Sequence, residues 1–204
     1  MALETSLQLK ILKGQRGILL ANLNRIPQRY YSQLVLDDFS YEDQMKLCES
    51  EVTIIGCGGL GSPLAVYLVA AGVGKINLID FDAVEERNLH RQVFYKESDI
   101  GRKKVEALKD YLINLDKEVE VNIYSVKSSE IDFKKINSNL FFDCTDNLKT
   151  SFELNEEMVN LNKPICFASA SEFNGQIIIF KNSKKEHCCY SCLFKESGDL
   201  ETCL

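Results

Sequence analysis

A short glycine-rich run is the first feature of this sequence that could do chemistry. Its glycines are Gly56, Gly58, Gly59 and Gly61, in the order Gly-Cys-Gly-Gly-Leu-Gly. Between a strand and a helix, such a loop allows a tight turn, lets the backbone approach a phosphate, and lets the helix pack closely on the strand. The free N–H groups at the helix N-terminus then favour an anion. The run therefore predicts a nucleotide site, with a turn that serves packing alone as the alternative.

An acidic residue follows the loop at the position that a bound nucleotide would need. Asp80 ends the next apolar run, at about the 20-residue spacing from the loop that is typical of ribose-binding carboxylates. There it could accept hydrogen bonds from the ribose hydroxyls. The sequence contains no Gly-x-x-x-x-Gly-Lys-Ser/Thr run, which excludes a P-loop nucleotide triphosphatase.

Several basic residues come soon after Asp80 and bear on which nucleotide is bound. They are Arg87, Arg91, Arg102, Lys103 and Lys104. Each alone would be a solvated surface charge, but together they could surround a phosphate chain longer than that of a dinucleotide. A hydride-transferring enzyme would also need an acid–base group, and neither His90 nor His187 has an evident carboxylate partner in the sequence. The pattern favours ATP, and an NAD-dependent Rossmann oxidoreductase stays as the weaker alternative.

A second acidic segment could hold a metal ion. Residues 143–147 read Asp-Cys-Thr-Asp-Asn and follow the apolar run 140–142. If that run is a strand, the segment lies at the sheet edge where α/β proteins bind ligands. Asp146 could there bind Mg²⁺, which prefers carboxylate and phosphate oxygens. The alternative is that Asp146 or Asn147 caps the following helix.

Regular alternation of strands and helices would bring these residues together. Short apolar runs predict strands at 52–55, 76–79, 119–124, 140–142, 165–168 and 176–180. Longer periodic segments predict helices at 62–71, 103–115 and 147–160. This order is typical of an α/β fold with a Rossmann-like, doubly wound, mostly parallel sheet, whose strand ends would carry the glycine loop and the acidic segments.

The chain before the first strand has a different character. Helical spacing of Leu and Ile predicts a helix over 5–23, and shorter helices are expected at 29–36 and 41–48. We therefore expect an N-terminal helical arm at 1–48 and a nucleotide-binding domain at 49–204. The last segment of that domain has little pattern, and we expect its C-terminal part to be incomplete.

Composition narrows the classes of protein to which this chain could belong. With 45% hydrophobic and 26% charged residues, it is neither disordered nor collagen-like. It has no run of about 18 or more apolar residues that would span a membrane, and its net charge of −6 argues against a nucleic-acid surface. No secretory signal precedes its eight cysteines, so we expect thiols in a cytoplasmic protein rather than a disulfide scaffold.

Several motifs occur in the same order as in a known family. They are the glycine run, Ala-Ala-Gly-Val-Gly at 70–74, Asp-Phe-Asp at 80–82, Asn-Leu-His-Arg-Gln at 88–92, Gly-Arg-Lys-Lys-Val-Glu at 101–106 and Asp-Cys-Thr-Asp-Asn at 143–147. From about Arg29 to Cys203, the sequence resembles the ThiF/MoeB/HesA family, bacterial relatives of the ubiquitin-activating enzymes.

The resemblance implies an enzyme, an ATP-dependent adenylyltransferase. Its second substrate would be the C-terminal glycine of a small ubiquitin-like or sulfur-carrier protein ending in Gly-Gly. The products would be an acyl-adenylate and pyrophosphate. The resemblance further implies Mg²⁺ and a homodimer, whereas the identity of the carrier and its pathway stay open.

The resemblance also implies roles for individual residues. The glycine loop would approach the nucleotide and Asp80 would bind the ribose. Asn88, Arg91 and Lys104 would hold the phosphates, and Asp146 would organise Mg²⁺ and the attacking carboxylate. Arg91, Lys104 and Asp146 are thus the expected catalytic residues, because positioning and charge neutralisation carry this kind of transfer.

One departure from the family lies near the start of the chain. The family usually carries Arg-Tyr-x-Arg-Gln there, and its second arginine reaches the phosphates of a neighbouring subunit. Ser32 occupies that position here. We expect either weaker activity or replacement by Arg25 or Arg29. A catalytically weak partner subunit of such an enzyme is the main alternative function, and a tRNA-modifying relative fits the acidic chain less well.

The cysteines near the end of the chain form the other departure. Family members often bind structural Zn²⁺ through two Cys-x-x-Cys pairs, and Cys189 and Cys192 resemble the first pair. Zinc usually takes four ligands, so Cys188 or His187 would have to help complete the set. Cys203 matches the position of a cysteine that links to the sulfur carrier in thiamine-pathway members, with an ordinary thiol as the alternative.

Overall fold

The chain divides into two units, with the boundary between Glu49 and Ser50. The computed structural model describes residues 27–181 and 188–194. The helix predicted at 5–23 lies outside the described residues.

The first unit begins with a short helical segment. A single 3₁₀ turn at Gln28–Tyr30 leads into α1 (Tyr31–Leu34). The prediction of one helix over 29–36 is therefore wrong in its length. Hydrogen bonds between residues three apart, from Tyr30 N to the carbonyl of residue 27 and from residue 36 N to that of residue 33, close both ends of the segment.

The second helix of this unit confirms its prediction. Helix α2 (Tyr41–Glu49) follows Ser40, whose hydroxyl accepts from the N–H of Asp43 while the Asp43 carboxylate accepts from the N–H of Ser40. This reciprocal pair of bonds is the capping box that starts helices. It explains why the helix begins where it does.

The second unit contains one sheet of six strands among the described residues. Their order across the sheet is β3-β2-β1-β4-β5-β6. The first five run parallel and β6 is antiparallel to β5. The strands are β1 (Glu51–Ile55), β2 (Lys75–Ile79), β3 (Glu120–Tyr124), β4 (Leu140–Asp143), β5 (Ile165–Ser171) and β6 (Asn174–Phe180). The predicted Rossmann-like, mostly parallel α/β sheet is confirmed.

Three long helices connect the parallel strands. They are α3 (Gly61–Ala71), α4 (Lys104–Leu115) and α5 (Leu148–Leu161). Residues 52–55 of β1 are buried without alternation, as expected for a strand that is covered on both faces. A final short helix, α6 (Tyr190–Leu193), packs Tyr190 into the core formed by β4, β5 and α5.

The last two strands are longer than the sequence predicts. They pair from Ile165 with Phe180 to Ser171 with Asn174, so that only Glu172 and Phe173 form the turn. Glu172 has a φ of 51°, which is unusual outside glycine and asparagine. The two turn residues carry no turn signal of their own, and the neighbouring Asn174-Gly175 step, a common turn signal, lies in β6 instead. The prediction therefore stopped both strands short.

The strand register places the C-terminal ends of β1, β2 and β4 side by side at one edge of the sheet. Ile55 of β1 lies between Ile79 of β2 and Asp143 of β4. The segments that follow these three strands are the glycine loop, the segment starting at Asp80, and the segment starting at Cys144. Sheet order alone thus explains how residues far apart in sequence become neighbours.

Among the described residues, no helix combines the length and apolar character that a membrane crossing would need.

Gly61 offers a test of the packing at this edge. A Cβ on Gly61 would lie 1.8 Å from the carbonyl oxygen of Gly56. Because backbone would have to move, we expect Gly61→Ala to lower the free energy of unfolding by about 3 kcal/mol or more. A Cβ on Gly175 meets nothing within 4 Å, so Gly175→Ala should stay within about 0.5 kcal/mol of the wild type. Urea unfolding followed by circular dichroism makes the comparison, and equal midpoints for the two variants would contradict this packing.

Candidate functional site

The glycine loop turns sharply where β1 ends. Gly56 has a φ of 88°, and its N–H donates to the carbonyl of Ile79 at 2.9 Å. A Cβ on Gly56 would lie 2.8 Å from the carbonyl oxygen of Cys144. Both the backbone conformation and the close approach require glycine at this position.

The next peptide groups of the loop are held from inside the protein. The N–H of Cys57 donates to Oδ2 of Asp80 at 2.7 Å, and its carbonyl accepts from the Tyr95 hydroxyl at 2.7 Å. The carbonyl of Gly58 accepts from both the N–H and the hydroxyl of Ser62, at 3.0 and 2.8 Å. The loop therefore has one defined conformation before any ligand arrives.

The outer side of the loop carries unsatisfied donors. Within residues 27–181 and 188–194, the N–H groups of Gly58, Gly59 and Leu60 have no hydrogen-bond acceptor. Gly58 and Gly59 are half-buried, and Leu60 is exposed next to the first residue of α3. Adjacent free N–H groups at a helix N-terminus form a concave site for an anion.

Asp80 anchors this loop as well as ending β2. It is 8% exposed, and its second oxygen, Oδ1, accepts from the N–H of Asp82 at 2.8 Å. Burial raises the pKa of Asp80, and the hydrogen bonds from Asp82 and Cys57 and the charge of Lys104 offset only part of that rise. Each carboxylate oxygen has a further lone pair, so a ribose hydroxyl could still bind there.

The sequence predicted cations near the loop, and the structure separates them into two groups. Arg87 pairs with Glu85, and Arg102 pairs with Asp99 and Asp110. Lys103 donates to a backbone carbonyl, that of Phe81. Arg91 also has a partner, since its Nη1 donates to the carbonyl of Arg87 at 3.4 Å, and Lys104 pairs with Asp82. These two are nevertheless the candidates for a ligand, because Arg91 lies beside Gly59 and the charge of Lys104 acts on Asp80.

Arg91 and Lys104 lie near the loop in different environments. The exposed Arg91 side chain lies over Gly59, since a Cβ on Gly59 would meet its Cγ, Cδ and Nε at 3.7 to 3.8 Å. Lys104 is 6% exposed and its Nζ donates to Asp82 at 2.9 Å. Its charge acts on both Asp80 and Cys57. Asn88, the other predicted phosphate ligand, is buried at the end of a 3₁₀ turn.

The two acidic residues at the end of β4 and just after it, Asp143 and Asp146, have different environments. Asp143 is buried and accepts from the N–H and hydroxyl of Thr145, at 3.0 and 2.7 Å, and from the Ser151 hydroxyl. Asp146 is exposed and has no hydrogen bond or ion pair with any residue that the structure describes. The cap of α5 is Asn147, whose side chain accepts from the N–H of Thr150. Asp146 is therefore not needed for capping.

Sequence reasoning missed two buried polar residues beside the loop. Gln92 is 2% exposed, and its Oε1 has no hydrogen-bond partner among the described residues. Its Nε2 lies 3.7 Å from where a Cβ on Gly58 would be. Tyr95 is the other. Gln92 stood within a recognised motif, whereas nothing local in the sequence points to Tyr95.

The cysteines near the loop are not activated as nucleophiles. Cys57, Cys144 and Cys166 are buried. Burial is the main cause that raises the pKa of all three, in the case of Cys144 to about 12. A thiol in that state is a weak nucleophile. The chemistry at this edge of the sheet therefore depends on positioning and charge.

The predicted metal pair lies at the start of α6 and within it, and Asn155 of α5 supports it. Sγ of Cys189 lies 3.6 Å from Sγ of Cys192. The buried Asn155 donates to Cys189 Sγ at 3.6 Å and to the Ser191 hydroxyl at 2.9 Å, and accepts from the N–H of Tyr190 at 3.0 Å. Burial acts to raise the pKa of Cys189, but the bonds from Asn155 and Cys192 outweigh it and the pKa is lowered.

The metal site is only partly assembled within the described residues. Cys188 is exposed, and no group of three or more metal-binding side chains is placed to hold an ion in the part of the chain that the structure describes. His187, one of the candidate ligands, lies outside that part, and so does Cys203, the predicted carrier-linking thiol.

Comparison with known proteins places this geometry in a family. The ThiF family matches residues 30–203. The "Adenylyltransferase and sulfurtransferase MOCS3" of Culex quinquefasciatus is 36% identical over 199 residues, which are 96% of this chain and 45% of the relative. That of Dictyostelium discoideum is 38% identical over 177 residues, 86% of this chain and 41% of the relative. The chain thus spans less than half the length of these curated relatives.

Solved structures agree with the sequence match. The crystal structure of E. coli MccB with ATP has a TM-score of 0.70 and 26% identity, covering 82% of this chain and 52% of that one. The Microcin C7 biosynthetic enzyme MccB with N-formylated MccA has a TM-score of 0.71 and 30% identity, covering 86% and 54%. Because the family match extends over most of the sequence, the chain belongs to the ThiF family.

Proposed function

We propose that this protein is an ATP-dependent adenylyltransferase that activates the C-terminal carboxylate of a small carrier protein or peptide. The observation that carries the proposal is the glycine loop, where the N–H groups of Gly58, Gly59 and Leu60 lack acceptors among the described residues and the Arg91 side chain lies alongside. Such donors suit a phosphate. The names of the relatives support the same reaction, as does the MccB structure with ATP.

The proposed reaction needs no protein nucleophile. A carboxylate oxygen of the carrier attacks the α-phosphorus of ATP and forms a new P–O bond. The bond from that phosphorus to the oxygen that bridges to the β-phosphate breaks, and pyrophosphate leaves with the electron pair. Negative charge builds up on the phosphate oxygens during this step, so preorganised N–H groups and cations stabilise its transition state.

Each loop neighbour has a role in this proposal. Asp80 accepts from a ribose hydroxyl through the lone pairs that its two backbone bonds leave free. Arg91 contacts the phosphates from the open side of the loop, and the buried Asn88 offers amide donors from the same segment. Because Asn88 is neutral and buried, its hydrogen bonds would orient the phosphates and would not neutralise their charge.

An ion pair with Asp82 stabilises Lys104 in the position from which it would bind the phosphates. Its ammonium group is almost buried, and the Asp82 carboxylate that it contacts is half-exposed. A buried ammonium without a partner would be costly, so Asp82 stabilises the lysine while the site is free of ligand. A phosphate that enters can share or replace this contact.

Asp146 fits the role of the magnesium ligand. Its carboxylate is exposed and has no partner among the described residues, while the neighbouring Asn147 serves as the helix cap. Mg²⁺ is commonly bound by one or two carboxylates together with substrate phosphates. When bound, it would neutralise charge on the phosphate chain.

The finer parts of the proposal concern the partner and the assembly. We propose a carrier that ends in Gly-Gly, because a tail without side chains can bring its carboxylate close to a glycine loop. The homodimer and the cytoplasmic location follow from the family resemblance and from the thiol content of the chain. They are proposals of the same kind.

Zinc is a further proposal, for which Cys189 and Cys192 fit. Two thiolates at about 2.3 Å from a tetrahedral zinc ion are separated by roughly 3.8 Å, close to the observed 3.6 Å. The lowered pKa of Cys189 favours the thiolate that a metal requires. The remaining ligands would have to come from residues outside the described part of the chain or from Cys188.

One observation favours the alternative of a catalytically weak partner subunit. Ser32, at the position where the family carries a phosphate-binding arginine, is exposed on α1 and supplies no charge. Under the main proposal, Arg29 or Arg25 replaces that arginine. Arg25 lies outside the described residues.

Arg91 and Arg87 form a matched pair for testing the reaction. We expect Arg91→Ala to lower the rate of carrier-dependent ATP–pyrophosphate exchange by about 10²- to 10³-fold, the usual effect of losing one donor to a developing charge. Arg87→Ala should change it less than about twofold, because Arg87 pairs with Glu85 at the surface. The assay uses Mg²⁺ and a purified sulfur carrier that ends in Gly-Gly.

Two outcomes would count against the proposal in different ways. An equal loss of exchange rate in Arg91→Ala and Arg87→Ala would contradict a specific role of Arg91 in binding the phosphates. A wild-type protein that binds ATP but gives no exchange with any Gly-Gly carrier would favour the weak partner subunit. Saturable NADH binding tighter than ATP binding would instead revive the oxidoreductase.

The zinc proposal has its own measurement. We expect about one zinc ion per chain, by elemental analysis, in protein purified without chelator, and a loss of most of that zinc in Cys192→Ser because a tetrahedral site loses a ligand. Cys48→Ser is the control, since Cys48 does not belong to the Cys-x-x-Cys pair. Zinc near zero in the wild type, or unchanged in Cys192→Ser, would reject the site.

A further inference from the structure

Tyr95 is a buried tyrosine whose hydroxyl contacts the glycine loop. It is 4% exposed, and its hydroxyl donates to the carbonyl oxygen of Cys57 at 2.7 Å. Its own backbone is fixed by a hydrogen bond from its N–H to the carbonyl of Gln92 at 3.1 Å. The hydroxyl therefore reaches the loop from a rigid support.

Because a peptide group is planar, this contact also determines the direction in which the Gly58 N–H points. The carbonyl of Cys57 and the N–H of Gly58 belong to the same peptide group, and in a planar trans peptide they point in opposite directions. Since Tyr95 holds the carbonyl on the buried side, the N–H of Gly58 has to point to the other side. That N–H is one of the loop donors that lack an acceptor among the described residues.

The neighbouring peptides would not fix this direction by themselves. Asp80 binds the N–H of Cys57, which belongs to the preceding peptide group. Ser62 binds the carbonyl of Gly58, which belongs to the following one. Only the Tyr95 hydroxyl contacts the group between them within the described structure, and the glycine at 58 leaves that group free to rotate.

Resting on the proposed adenylyltransferase function, we propose that Tyr95 is a positioning residue, whose hydroxyl orients the Gly58 N–H as a hydrogen-bond donor to the nucleotide phosphates. Burial raises the pKa of Tyr95, so the hydroxyl remains a donor at all ordinary pH values. Loss of the hydroxyl would leave the Cys57 carbonyl without its donor and allow the peptide to turn. Phosphate binding would then weaken, whereas contacts to the nucleoside would not.

The test compares two ligands by calorimetry. For Tyr95→Phe we expect the Kd for ATP to rise about tenfold, as for the loss of one hydrogen bond to a charged group, while the Kd for adenosine changes less than about twofold. Replacing Tyr95 with 4-aminophenylalanine, which keeps a donor at the same place, should restore most of the ATP affinity. Tyr190→Phe is the control, because Tyr190 is also buried and its hydroxyl has no partner among the described residues.

A second readout observes the Gly58 N–H itself. Cys57–Gly58 is the only Cys-Gly step in the sequence, so protein labelled with ¹³C at cysteine carbonyls and ¹⁵N at glycine gives one amide signal selected for that peptide. In the wild type, this signal should move on addition of ATP and stay in place with adenosine. In Tyr95→Phe, it should start at a different position and respond less to ATP.

The outcomes separate this inference from the function on which it rests. ATP binding by the wild type with an unmoved Gly58 signal would overturn the role of Tyr95 and leave the proposed function standing. Equal ATP affinity in the wild type and Tyr95→Phe would do the same. A wild type that binds no ATP would overturn both. The wild-type spectra decide the matter even if Tyr95→Phe does not fold.

Discussion

The buried carboxylate of Asp80 is the interaction on which the rest of the site depends. It joins the end of β2 to the loop after β1 through the N–H of Cys57, and it holds the following turn through the N–H of Asp82. A buried carboxylate is costly unless backbone donors satisfy it, and here its two oxygens have one such donor each. The same contact brings Asp82, and through it Lys104, to the loop.

The loop is therefore defined from the inside, which leaves its outer donors for a ligand. Asp80, Tyr95 and Ser62 occupy successive peptide groups from the protein side. The N–H groups that remain, at residues 58 to 60, have no acceptor in the part of the chain that the structure describes. Preorganised donors cost no reorganisation when charge develops, which is the condition for effective electrostatic catalysis.

Much of this architecture could be predicted because its signals are local. Glycine spacing, short apolar runs and strand–helix alternation depend on neighbours in sequence, and they predicted the sheet, the loop and the position of Asp80. The contact of Tyr95 with Cys57 could not be predicted, since the two residues are 38 positions apart and only the fold brings them together. The support that Asn155 gives to Cys189 was missed for the same reason.

The partners of the polar and charged side chains were harder to predict than the fold. The sequence grouped five cations after β2. The partners of Arg87 and Arg102 are Glu85, Asp99 and Asp110, and the conformation of the loop and of α4 decides which of the neighbouring carboxylates each arginine reaches. The capping of α5 was left open between Asp146 and Asn147 for a similar reason. It was decided by the backbone angle at the helix start, where Asn147 has an extended conformation.

The most direct measurement of the central claim is a crystal structure of the full chain with a non-hydrolysable ATP analogue and Mg²⁺. The account predicts phosphate oxygens within hydrogen-bond distance of the N–H groups of Gly58 and Gly59, with the ribose on Asp80. A nucleotide seated elsewhere, with those two N–H groups still facing solvent, would contradict it.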